Sequence, residues 1–136
     1  MKIELFVDKS IHDVQEAFHS AFPYLKLEFF NHKHDAYQGS VAQDRIQDTS
    51  RVLGSIESKP HSGVLFIEPE MPTWQVERLF ELEFGLHVQV FRKSGSLWLE
   101  TSRTDDLTLE MQNAKGLASE HVKPMAEEPI DIREQE

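Results

Sequence analysis

His32, His34, Asp35 and His61 are the residues of this chain best suited to metal chemistry. A His-x-His-Asp run leaves one predicted strand, and His61 stands just before the next. Closing the intervening loop brings imidazoles and a carboxylate together, a ligand set for zinc or another divalent cation. The same residues also suit a solvated polar turn. His12, Glu16 and His19 share one face of a predicted helix at i, i+4, i+7, where water is the usual neighbour. Glu68 and Glu70 flank Pro69 and could exchange protons, but they read equally as a wet strand end. Gly39, Gly54 and Gly63 are too far apart for a phosphate loop, and no Gly-x-Ser-x-Gly elbow is present. The chain has no cysteine, which removes disulfides, thiolate metal sites and thiol nucleophiles together. The chemistry leans away from catalysis, and no cofactor is expected.

The 136 residues suit one domain, and 39% apolar with 28% charged residues is ordinary globular composition. The net charge is −10. Such a field repels nucleic-acid phosphates and anionic lipid unless basic residues cluster. They are scattered, and Arg92-Lys93 is the one adjacent pair. No apolar run approaches the roughly 20 residues that span a bilayer, and Met1-Lys2-Ile3-Glu4 lacks an apolar leader segment. A cytosolic location is the default expectation.

Periodicity supplies the elements. Residues 2–8 alternate, with Ile3, Leu5 and Val7 on one side. Ser10 and Asp13 make an imperfect capping box for a helix carrying Ile11, Val14, Phe18 and Phe22, which Pro23 ends. Leu25 to Asn31 alternates again. Residues 32–61 form a polar stretch in which Ile46, Val52, Leu53 and Ile56 hint at a segment folding back, with a turn of helix within 49–56. Val64 to Glu68 is a strand. Thr73 can cap a helix carrying Val76, Phe80 and Phe84, and Gly85 stands where a left-handed glycine belongs. Leu86 to Lys93 and Leu97 to Thr101 form a hairpin around Ser94-Gly95-Ser96. A last helix opens near Thr104-Asp105-Asp106 and closes at Gly116. Residues 118–136 read as an acidic disordered tail, leaving 1–117 as one α+β domain.

The pattern occurs twice. Shifting by 62 places Ile3, Leu5, Val14, Phe18 and Phe22 on Leu65, Ile67, Val76, Phe80 and Phe84; shifting by 61 places Leu25, Leu27, Phe29 and Phe30 on Leu86, Val88, Val90 and Phe91. Two strand–helix–strand units predict a ferredoxin-like tandem βαβ repeat. The expected sheet is antiparallel, of about five strands, with two helices on one face and a C-terminal helix. Its open face should carry Phe6, Phe30, Val64, Phe66 and Phe91, an apolar surface that must be covered by the last helix, the long loop, another protein or a second copy.

Leu5-Phe6-Val7 and Gly63-Val64-Leu65-Phe66-Ile67-Glu68 resemble the two base-stacking strands of RNA-recognition-motif domains, which implies RNA binding on the open face. The likeness spans about nine residues. It departs at Val64, where that family favours an aromatic, and no basic residue immediately precedes Gly63. The stretch from Phe84 through Lys93 and Trp98 to Glu110, within residues 76–113, is similar to small bacterial proteins of unassigned function and implies a bacterial origin and no activity. Trp98 beside Arg92-Lys93 reads either as an interface anchor or as a ring packed beneath the last helix. The expected function is non-enzymatic protein binding or self-association. Metal binding through His32, His34, Asp35 and His61, and RNA binding on the sheet, are the alternatives.

Overall fold

The computed structural model describes residues 1–32, 39, 42–57 and 62–121. Eight principal elements follow in order: β1 (Lys2–Leu5), α1 (Ile11–Ala21), β2 (Leu25–Phe30), β3 (Gly63–Phe66), α2 (Thr73–Phe84), β4 (His87–Ser94), β5 (Leu97–Glu100) and α3 (Leu109–His121), with single 3-10 turns at Ala42–Asp44, Leu53–Ser55 and Ser102–Thr104. The strands form two antiparallel sheets, β1–β3 and β2–β4–β5, where one sheet of about five was expected. The first strands of the two βαβ segments pair with each other, and so do the second strands. Ile3 stands opposite Leu65 in one ladder and Glu28 opposite Gln89 in the other.

Local chemistry accounts for the helices. The Ser10 hydroxyl accepts from the Asp13 N–H and the Asp13 carboxylate accepts from the Ser10 N–H, a complete capping box. Pro72, not Thr73, caps α2; the Thr73 hydroxyl instead donates to the Leu107 carbonyl at 2.8 Å. Gly85 ends α2 at φ 65°, a conformation that side chains disfavour. The apolar stripes Ile11–Val14–Phe18 and Val76–Phe80–Phe84 are buried, and Phe29 meets Phe80 edge-on at 6.3 Å between centroids.

Both helix starts are held by chain that comes later. The N–H groups of Ile11 and His12 donate to the Arg51 and Thr49 carbonyls (3.0 and 2.9 Å), and those of Thr73 and Trp74 donate to Leu107 and Asp105 (2.9 and 3.0 Å). The Leu53 and Gly54 N–H groups bond Lys9 and Val7; those of Leu109 and Glu110 bond Met71 and Pro69. Single antiparallel bridges, Ser10 to Val52 and Pro72 to Thr108, sit inside these clamps. The polar stretch after β2 therefore does fold back. Leu53 and Ile46 enter the core, Ile56 packs against it, and Val52 stays exposed. Within this stretch the Ser50 hydroxyl and N–H both donate to Asp48 and hold its carboxyl below the usual carboxylate range.

Side chains close the strand edges that ladders leave open. Gln15 Nε2 donates to the Leu27 carbonyl at 2.9 Å, and His19 Nδ1 lies 2.8 Å from the Leu25 carbonyl, so that nitrogen carries the proton. Further along, the Ile46 N–H bonds the Phe29 carbonyl. On β4, Glu77 Oε2 accepts from the Val90 N–H at 2.9 Å and from Gln89 Nε2 at 3.2 Å. Gln15 also reaches Glu28 at 3.4 Å. Each βαβ segment thus has an amide–carboxylate pair from helix to second strand, with the residue types exchanged.

The last helix starts later and runs further than its sequence suggested. It reaches His121, into the segment read as tail, and residues 122–136 lie outside the described ones. Gly116 is interior rather than terminal. A methyl there would come within 2.6 Å of Tyr24 Cβ and 3.1 Å of the Tyr24 carbonyl oxygen, so glycine serves close packing against the start of β2.

Gly116→Ala is expected to lower stability by about 1 to 3 kcal/mol in urea unfolding, because overpacking outweighs the helix-propensity gain of roughly 1 kcal/mol. Glu77→Ala should cost about 2 to 4 kcal/mol, since it leaves the buried Val90 N–H without its acceptor and takes one partner from the Gln89 amide, which keeps the Val90 carbonyl. Gln15→Ala should cost about 1 kcal/mol or less by the same measurement, because Gln15 is only partly buried.

Candidate functional site

The residues expected to share one open face divide between the two sheets. Phe6, Val64 and Phe66 belong with β1–β3, and Phe30, Phe91 and Trp98 with β2–β4–β5. On β1–β3, Ile3, Leu5 and Leu65 turn into the core, so Lys2, Glu4, Val64 and Phe66 turn outward. Lys2 stands opposite Phe66 and Glu4 opposite Val64. Phe66 is 61% exposed, Phe6 38% and Val64 37%. Lys9 closes one side of this surface. Its Nζ lies 3.4 Å from Glu4 Oε1 and 5.8 Å from the Phe6 ring centroid.

The backbone at this sheet matters as much as the rings. Met1 and Ile67 exchange N–H···O=C bonds across the ladder. Antiparallel alternation then makes Ile3–Leu65 and Leu5–Gly63 the hydrogen-bonded pairs and turns the amides of Lys2, Glu4, Val64 and Phe66 to the two outer edges. Among the described residues, the backbone groups of Val64 and Phe66 bond no further strand or side chain. This differs from β2, whose outer carbonyls are taken by His19, Gln15 and Ile46.

The second aromatic group is largely satisfied internally. Phe30 is buried, because Arg45 bridges it and Ile46 continues along β2; it is not on an open face. Phe91 and Trp98 are half-buried and share Lys26, whose Nζ lies 5.7 and 4.9 Å from their centroids. Lys93 stands opposite Trp98, 5.8 Å from its ring, and pairs with Glu120 at 3.2 Å. The Trp98 ring meets that of His19 of α1 edge-on, at 6.1 Å between centroids. Arg92 points the other way; it is 5% exposed and donates to Gln112 of α3 at 2.9 Å. The adjacent cations of the hairpin therefore do different work, one inside and one outside. Alternation could have separated them; the partner on α3 had no sequence signal.

Of the expected metal ligands, only His32 lies among the described residues; His34, Asp35 and His61 lie outside them. His32 Nδ1 is 3.1 Å from Asp44 Oδ2 on an exposed surface. Among the described residues no group of three or more histidine, cysteine or acidic side chains is placed to hold a metal. No described helix is long and apolar enough to cross a membrane.

No protein-family model, curated protein or solved structure matches this chain. The most developed surface feature is the two-stranded sheet, which turns Val64 and Phe66 outward beside Lys2 and Glu4 and whose β3 edge pairs with no further strand among the described residues. A two-stranded sheet is marginal by itself, and here the core beneath Ile3, Leu5 and Leu65 supports it.

Burial separates surface from scaffold. Phe66→Ser should leave the unfolding free energy within about 0.5 kcal/mol of the parent, and Phe6→Ser, only 38% exposed, should lower it by about 1 kcal/mol. Phe30→Ala should cost about 3 to 5 kcal/mol. A large loss at Phe66 would mean that this ring is structural.

Proposed function

We propose that this chain is a non-enzymatic protein-binding module of the cytosol, built as a tandem βαβ duplication of ferredoxin-like element order, and that it docks its partner on the outer side of the β1–β3 sheet. The duplication is supported by the ladders, each centred on positions that the sequence shift equates: Ile3 with Leu65, and Glu28 with Gln89. It is supported again by the matching clamps at the two helix starts and by the Gln15–Glu28 and Glu77–Gln89 pairs.

One observation carries the functional reading. Under the duplication, Lys2 and Glu4 correspond to Val64 and Phe66. Equivalent edges thus differ in kind. The β1 edge bears charges, a common way of keeping a free strand from pairing with foreign chains. The β3 edge bears an exposed valine and phenylalanine beside unbonded backbone. An apolar, unfilled edge matches the requirements for adding a strand, in which backbone bonds give affinity and alternate side chains give specificity. The RNA alternative finds less support here. Among the described residues Lys2 stands opposite Phe66 and Lys9 lies over Phe6, and Lys9 is engaged with Glu4.

Photo-crosslinking tests the reading. A benzophenone amino acid at position 66 should give a discrete protein adduct in cells. The same group at Leu82, equally exposed at 61% on α2, should not. No adduct at 66 beyond that at 82 would remove this sheet as the docking surface.

A further inference from the structure

We propose that the occupant of the β3 edge is a second copy of this chain, paired antiparallel through β3 about a twofold axis at Leu65. This rests on the protein-binding reading above and adds the partner and the register.

The outward backbone groups of β3 belong to Val64 and Phe66, so a new strand must pair with those two positions. A copy of β3 centred on Leu65 does so self-consistently. Val64 then faces Phe66 of the second copy, and Phe66 faces Val64, each pair exchanging both backbone bonds. Aromatic with β-branched is a favourable cross-strand combination. The observed ladder already fixes the next neighbours, Lys2 beside Phe66 and Glu4 beside Val64. Each row of the joined four-stranded sheet therefore runs Lys, Phe, Val, Glu. The apolar pairs lie at the centre, charges lie at the rim, and every row ends in opposite signs. A centre lying between two residues would oppose an outward position to one that faces the core. A centre at Val64 would set Phe66 against Ser62 and lose both aromatic–β-branched pairs. A centre at Phe66 would require Glu68, whose carbonyl already accepts from the Met71 N–H and which precedes Pro69. The interface has the arrangement of stable contacts, apolar in the middle and polar around it, and the isologous form expected of a twofold pair.

The absence of native cysteine makes the test direct. Chains carrying V64C and chains carrying F66C are mixed under mild oxidation. The expected result is a crosslinked dimer in the mixture and little in either sample alone, because like positions lie on a diagonal too long for a disulfide. The unmodified chain should sediment as a concentration-dependent monomer–dimer mixture, and Phe66→Lys should weaken dimerisation at least tenfold while leaving the urea midpoint unchanged at concentrations where both chains are monomeric. A strict monomer across the accessible concentrations overturns the proposal. So does crosslinking of K2C with E4C chains in place of the 64–66 pair, which would put the contact at β1. A monomer that still gives a discrete adduct of another mass at position 66 overturns the second copy and leaves the docking surface standing. No adduct at all removes both.

Discussion

The structure depends on backbone groups being satisfied by chain that is distant in sequence. The first N–H groups of a helix have no partner within it. Here those of α1 and α2 are met by carbonyls of segments that return after each second strand, Thr49 and Arg51 in one case and Asp105 and Leu107 in the other. The returning segments then place Leu53 and Leu109, both fully buried, against the same core. The polar stretch after β2 is thus tied to the framework where it meets α1, and the start of α3 does the corresponding work for α2. The exposed sheet is positioned by the same device, since Leu53 and Gly54 bond to Lys9 and Val7 just beyond β1.

Much of the element order was legible in the residues. Alternation marks the strands, three- and four-residue spacing marks α1 and α2, and Gly85 and Gly95 adopt the positive φ their positions implied. These are local signals, because each depends on neighbours along the chain. Beyond the β4–β5 hairpin, which the turn at Ser94-Gly95-Ser96 marked, the pairing of strands was not legible. A βαβ repeat leaves open whether first strands pair with each other or with second strands, and hydrophobic period says nothing about that choice. Ile46, Leu53 and Ile56 hinted that the segment after β2 returns, but its backbone clamp on α1 at 49–54 was not legible, for a related reason. Its counterpart at 105–110 is related to it by backbone bonding, with little likeness in residue type beyond Leu53 and Leu109.

The open face was half legible for the same cause. Alternation correctly turned Val64 and Phe66 outward, but it could not show that Phe30 would be covered by Arg45 and Ile46 from the returning segment. Gly116 illustrates a different limit. In sequence, a glycine near the end of a helical pattern reads as its stop, and only the approach of Tyr24 distinguishes a stop from a place where two backbones nearly touch.

The long reach of these clamps has a kinetic meaning. β1 must wait for β3, with Met1 bonding Ile67 across 66 residues, and α2 is not secured until Asp105 and Leu107 have left the ribosome. Contacts so remote along the chain close costly loops before they give any return, and such topologies fold slowly. A nascent chain released before Leu107 would present α2 without its latch and β4 without α3, a half-dressed intermediate with its apolar stripe open to other chains.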